Sequence, residues 1–280
     1  NRDFWDEAEG IYCDFFGTKE QAVSVAKGAI RQLRSGTSDA EKETIRFYES
    51  LLTRFRQLPD GTQQGWFTNK NWVITTPLET AIAPPDKALR SLDKIRNEHC
   101  GEYGPYLSAV EGNRMMTIST GVQAVSEAQY GRMDECLWYM NRIAATLHRT
   151  LPGSINEMMP DYGCPVQAWT IYSLTVPLIM HMFGITPDAY HKEAIISPAL
   201  PTSWKEAKLE NQRIGSNSYD IEISRSGGKT IYLIKSQEAN WKNIIRIKRL
   251  SGKEYELNGK TMLATGDDIL LTGTENQIRF

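Results

Sequence analysis

The spacing of apolar residues divides the chain into two textures. Through about residue 190, apolar positions recur at helical intervals. Ala22, Val25, Ala26, Ala29, Ile30 and Leu33 form one stripe, and Ile45, Tyr48, Leu51, Leu52 and Phe55 form another. Residues three and four apart share a helix face, so each stripe predicts a helix with one buried side. Thr18 with Gln21 marks a capped start for the first, and Ser38-Asp39 opens the second. Further helices are predicted over 71–82, 85–97, 119–129, 133–149 and 165–183, with Pro85 suited to a first turn and Gly131 and Gly184 marking ends. From about residue 194 the period changes to two. The runs 218–224, 230–235 and 243–248 alternate apolar and polar residues, and Gly227-Gly228 and Asn258-Gly259 are hairpin signals. This pattern predicts a mainly α chain with a β appendage: a helical segment over 1–192 and a small antiparallel β-module over 193–280 that sandwiches against helices.

The helices are separated by loops of unusual composition. Residues 65–72 hold Trp66, Phe67, Asn69, Lys70 and Trp72; residues 101–106 hold Glu102, Tyr103 and Tyr106; residues 151–163 hold Pro152, Gly153, Glu157, Pro160, Asp161, Tyr162 and Gly163. Alternate loops of stacked helical hairpins fall on one face, which would gather these aromatics and carboxylates at one mouth. Aromatic rings stack on the apolar faces of sugars, and Asn or Asp neighbours bond hydroxyls. For Trp66 and Trp72 that role stands level with a place in the core; Trp169 and Tyr172 read as core. Glu157, in a stiff loop beside apolar groups, is the first candidate for acid–base work. Glu79 is second, as a hydroxyl ligand at the mouth or an ordinary helical residue, with Glu102 and Glu127 behind it. Asp6, Glu7 and Asp14 are binding residues or plain surface.

Bulk properties narrow the classes. The chain has 280 residues, 40% hydrophobic and 24% charged, which suits a globular protein. A net charge of -2 gives no support for nucleic acid as a partner. No apolar run reaches the ~20 residues of a membrane span. Cys13, Cys100, Cys136 and Cys164 form no CxxC pair, and the four histidines show no ligand spacing, so neither metal nor other cofactor is expected. The cysteines leave the compartment open; a glycan substrate would favour a periplasmic or secreted location. No phosphate-binding glycine loop or GxSxG elbow occurs, and no period of about 34 residues marks a helical repeat.

One stretch carries a family likeness. Gly153, Ile155 and Glu157, then Gly163 and Gln167-Ala168-Trp169, resemble the end of the catalytic domain in amylo-α-1,6-glucosidase and glycogen-debranching proteins, which are six-hairpin, (α/α)6-barrel glycosidases. Val166 stands where that pattern has Ala, and Thr170 where it has Ser. Phe183 to Ala189, then Ile196-Ser197-Pro198 and Leu200-Pro201 with Trp204, are similar to the passage into the closing β-module, a passage shared with α-L-rhamnosidases. The likeness implies part of an (α/α)6 barrel and a debranching-type α-glucosidase or related enzyme. In it Glu157 is the general base of an inverting mechanism; Trp66, Trp72, Glu79, Tyr103, Tyr162 and Gln167 are the candidates for substrate contacts. The partner would be an oligosaccharide or polysaccharide. Inverting enzymes hold base and acid roughly 6.5–9.5 Å apart. The family's acid precedes the base in the first half of the barrel, and the helices counted here make about half a barrel, so the acid is expected in an N-terminal part of the same polypeptide. The alternatives are a carbohydrate-binding scaffold without catalysis and an α-L-rhamnosidase.

Overall fold

Two reciprocal caps start the first helices. Thr18 accepts from the Gln21 amide while the Gln21 side chain accepts from Thr18 N–H, opening α1 (Lys19–Leu33); Ser38 and Glu41 do the same for α2 (Asp39–Arg56). Each cap satisfies two amides that a helix start leaves unpaired. The buried faces are Ala22, Ala26, Ala29 and Leu33 of α1, and Tyr48, Leu51, Leu52 and Phe55 of α2. The small alanines let α1 lie close to the large side chains of α2. Then follow α3 (Thr76–Glu79), α4 (Pro85–Glu98), α5 (Thr117–Gln129), α6 (Met133–Ala144) and α7 (Tyr172–Val176).

This computed structural model describes residues 4–34, 36, 38–70, 72–167, 170 and 172–280, the side chains of Trp72 and Val73 excepted. The chain divides into two units, Asn1–Leu174 and Thr175–Phe280.

In the first unit the segments between helices pair as short antiparallel ladders: β1 (Trp5–Asp6) with β2 (Ile11–Tyr12), β3 (Phe15–Thr18) with β4 (Gln63–Trp66), β5 (Cys100–Gly101) with β6 (Gly104–Pro105), and β7 (Met115–Met116) with β8 (Met158–Met159). Two clusters form its interior. One joins Ile11, Tyr12, Phe67, Ile74, Leu78, Leu92 and Ile95; the other packs the facing sides of α1 and α2 around Trp66.

The second unit contains β9 (Ile185–Asp188), β10 (Glu193–Ile196), β11 (Glu206–Ile214), β12 (Asn217–Ser226), β13 (Lys229–Ser236), β14 (Lys242–Arg246), β15 (Glu254–Leu257), β16 (Lys260–Leu263), β17 (Asp268–Leu270) and β18 (Glu275–Arg279). Six of these make an antiparallel sheet in the order β11-β12-β13-β18-β15-β16. Four make a second sheet, β17-β14-β10-β9, in which β10 and β14 run parallel. Alternation sets the faces: Tyr219, Ile221 and Ile223 of β12 point inward.

The expectation of a mainly α chain, part of an (α/α)6 barrel with a small β-sandwich appended, is overturned. About 33% of the chain is helix and 29% strand, so neither class dominates. The strands are spread over both units, and the sheets of the second unit are large. Two of the expected helices also shrink. The stretch 71–82 contains a single 3₁₀ turn (Trp72–Thr75) and the one-turn α3, and the apolar stretch 165–183 contains α7 followed by a π-helical turn, Pro177–Met182. Pro177 has no N–H to continue the α-helical ladder, which accounts for the change of winding there.

Glu127 lies wholly inside, on α5, at 0% exposure. Burial pushes its carboxyl from an ordinary 4.5 up to about 7; Arg132, with Nε 2.8 Å from Oε2, works in the opposite direction without cancelling this. The folded protein therefore holds this proton more tightly than the unfolded chain does. That contribution to stability is fully present below about pH 4.5 and is lost as pH rises through about 7. Urea unfolding at about pH 5 and about pH 8 is expected to show lower stability at the higher pH, and Glu127→Gln to flatten that difference.

Candidate functional site

Glu157 is held by its own backbone. Its carbonyl accepts from Thr117 N–H (2.9 Å) and from the Thr117 hydroxyl (3.0 Å), and its N–H donates to the Cys164 carbonyl (2.8 Å). Next to it, Met158–Met159 pairs with Met115–Met116, tying the turn to the residues that lead into α5. Met158 and Tyr162 exchange two backbone bonds of 3.0 Å, closing a tight turn over Pro160 and Asp161. The Glu157 carboxylate is then fixed at one oxygen: Oε2 accepts from Cys164 N–H at 3.1 Å. Oε1 has no protein partner among the described residues. Gly163, at φ +79°, makes this approach possible, because a Cβ there would stand 2.7 Å from Oε2.

Around this turn stand two arginine–tyrosine pairs. Arg149 forks onto Asp161 through two 2.8 Å bonds and lies 5.6 Å from the centre of the Tyr103 ring. Arg114 lies 4.1 Å from the centre of the Tyr162 ring, which is 51% exposed. The Arg149 fork lowers the Asp161 carboxyl below the ordinary carboxylate range, so Asp161 is committed as an anion. Desolvation, helped by Glu102, raises the Tyr103 hydroxyl.

The structure thus brings Glu157, Tyr103 and Tyr162 into one neighbourhood, linked by Arg149 and Asp161. Among the described residues, Trp66, Glu79 and Gln167 make no hydrogen bond to this cluster. Trp66 is 1% exposed, donates its indole N–H to the Gly17 carbonyl at 2.7 Å and packs edge-on against Phe55. The expectation that Trp66 offers a ring face to a ligand is corrected: both its ring and its N–H are used inside the core. Glu79 is half-buried at the end of α3; its carboxylate accepts from the Tyr172 hydroxyl and its carbonyl from Gln129. Gln167 is half-buried, with Oε1 enclosed and without a partner among the described residues, and its carbonyl accepts from Thr170. The Trp72 side chain, Ala168 and Trp169 lie outside the described residues.

Asp14 has a structural task. Its carboxylate accepts from the backbone amides of Thr68 (3.1 Å), Asn69 (2.5 Å) and Lys70 (2.9 Å), and from the Thr68 hydroxyl (3.0 Å). A side chain that gathers three successive amides sets the course of the loop that carries them. Sequence reasoning also missed Arg114, Arg149 and Thr117. Arg149 sits at the end of a helical pattern with nothing local to reveal Asp161 as its partner.

No known family profile matches the chain, and no curated protein matches it. Several solved structures resemble it, among them two enzymes. One is an α-L-rhamnosidase from Streptomyces avermitilis complexed with L-rhamnose, at 14% identity and TM-score 0.46, covering 94% of this chain and 26% of that one. The other, from the human microbiome, is assigned as a kojibiose phosphorylase, at 9% identity and TM-score 0.41, covering 96% and 32%. Both are carbohydrate-active enzymes, and this chain spans about a quarter to a third of their lengths. At these values the likeness settles neither fold nor activity.

Removing the Asp14 carboxylate leaves three amides without an acceptor. Asp14→Ala is expected to lower stability by about 3 kcal/mol, read as a shift of the urea midpoint at unchanged slope.

Proposed function

We propose that Glu157 is the general base of an inverting glycoside hydrolase acting on α-linked oligosaccharides, of debranching type or close to it. The observation that carries this reading is the asymmetry of its carboxylate. Oε2 is anchored by the Cys164 amide, while Oε1 has no protein partner among the described residues, on a turn pinned at both ends. A base that activates water needs such a group: one lone pair free to take a proton, on a side chain that does not wander. Tyr162, half exposed with Arg114 at its ring, offers an aromatic surface beside it for the apolar face of a sugar. The sequence around Glu157 supports the same role through its likeness to the debranching proteins.

Inversion requires an acid on the far side of the scissile bond. Asp6, Asp14 and Glu79, which could serve as that acid, are engaged elsewhere, as is Asp161 beside the turn. Asp6 pairs with Arg54 at 2.8 Å, Asp14 holds three amides, Asp161 is forked by Arg149, and Glu79 takes the Tyr172 hydroxyl. The acid is therefore proposed to come from polypeptide outside these 280 residues.

The test is turnover by the full-length protein on a panel of α-linked oligosaccharides and aryl glycosides. Glu157→Gln keeps the Oε2 contact but cannot take a proton from water. It is expected to lower kcat by about 10²–10⁴-fold with KM little changed. Turnover equal to that of the parent would exclude Glu157 as the base.

A further inference from the structure

A cavity of about 670 Å³ opens in the first unit between the start of α2, the loop at Lys70 and the segment that follows α4; its lining does not include Glu157. A cavity of this size accommodates a small metabolite. Two buried polar groups on its wall lack hydrogen-bond partners among the described residues, and a lysine beside them has no ion-pair partner there. His99 is 5% exposed, and its Nε2 has no hydrogen-bond partner among the described residues. Ser108 is 7% exposed, and its hydroxyl is likewise without one. Lys70 is half-buried, with no carboxylate within ion-pair range among the described residues; its ammonium rests 3.9 Å from the centre of the Phe47 ring. Buried polar groups are nearly always satisfied, so two such groups beside an ammonium without an ion-pair partner, on one cavity wall, call for a ligand.

The backbone at Lys70 points the same way. Lys70 sits in the left-handed region, at φ 54°, which a side chain other than glycine adopts only under constraint. The constraint is visible: Asp14 takes the Lys70 amide at 2.9 Å, and Ala109 N–H binds the Asn69 carbonyl at 2.7 Å. The fold therefore holds Lys70 at the cavity against its conformational preference.

The chemistry of the three groups selects the ligand. Burial drives the His99 imidazole down to about 3, so it is neutral, with the backbone of Glu98 acting on the ring in the opposite direction. With the proton on Nδ1, toward that backbone, Nε2 is a lone pair that takes an O–H or N–H donor. Ser108 can give or accept one bond. Lys70 is a cation that burial makes costly to leave without a counter-charge, and a cation over a ring regains only part of that cost. Glu43 and Glu98 also line the cavity and act on Lys70 from beyond ion-pair range, and Glu98 pairs with Lys94 at 3.0 Å. Phe47 and Tyr106 supply apolar walls.

We infer that this cavity binds a small polyhydroxylated acid, a sugar acid in size and shape, whose carboxylate meets Lys70 and whose hydroxyls meet His99 Nε2 and Ser108 Oγ. A neutral sugar leaves Lys70 without a direct ionic partner among the described residues, and a bare anion leaves His99 without a donor. The site stands independently of Glu157 and of any hydrolysis.

The probe is D-glucuronate, titrated calorimetrically into the protein at low salt beside D-glucose and inorganic phosphate. The expected result is saturable one-to-one binding of D-glucuronate, with D-glucose and phosphate each weaker by about tenfold or more. Lys70→Met and His99→Phe are each expected to weaken D-glucuronate by about tenfold or more at unchanged melting temperature. Should His99→Phe melt early, Ser108→Ala takes its place with the same expected direction. Glu157→Gln is expected to leave the affinity as it is, which separates this site from the proposed catalytic one. Absence of saturable D-glucuronate binding, equal binding of phosphate or D-glucose, an unchanged affinity in Lys70→Met, or a loss in Glu157→Gln would each overturn the assignment.

Discussion

The pairing of Met115–Met116 with Met158–Met159 is the constraint on which the proposed site depends. Two residues a side make a weak ladder alone. This one is continued by Thr117, which binds the Glu157 carbonyl through both its amide and its hydroxyl, and by the Cys164 carbonyl, which takes the Glu157 N–H. The peptide groups flanking Glu157 are thus spent on the frame, and the carboxylate inherits a fixed origin. Most of α5, to which the ladder connects, is buried, so the frame stands on the least yielding part of the first unit. A carboxylate placed this way loses little entropy on meeting a substrate, which is what a base gains from rigidity.

Asp14 performs the matching task for the loop at 68–70. Its three amide bonds turn the chain so that Phe67 and Trp66 point into the two cores while Lys70 points to the cavity. The aromatic richness of residues 65–72 therefore serves packing first, and the chemistry of this loop rests on its lysine. The two features share a design: a buried polar group is used on backbone amides or carbonyls, and the side chain that emerges between them is left free.

Local signals were legible in the sequence, and pairings across distance were not. The caps at Thr18 and Ser38, the alternation of β12 and β13 and the turn at Gly227-Gly228 are encoded within a few residues of where they act. The balance of helix and strand does not show in the sequence, because the ladders of the first unit are two to four residues long, too short to show a period of two. The apolar stretch 165–183 reads as one helix by composition, yet Pro177 interrupts the ladder that composition alone does not reveal. At the site, Glu157, Tyr103 and Tyr162 could be picked from loop composition. Arg149 with Asp161, Arg114 with Tyr162 and Asp14 with 68–70 could not, since each joins residues far apart in the chain. Trp66 shows the limit from the other side: a tryptophan among Gly, Asn and Lys looks available, and only the position of Gly17 shows that its N–H is taken.

The central claim is that Glu157 hands water to the anomeric carbon directly, with Oε1 as the base. The most direct measurement is the anomeric configuration of the first-formed product, followed by proton NMR as the full-length protein cleaves an α-linked substrate. The account predicts a β-configured sugar that appears first and mutarotates afterwards. An α-configured first product would mean retention through a covalent intermediate and would contradict the role assigned to Glu157.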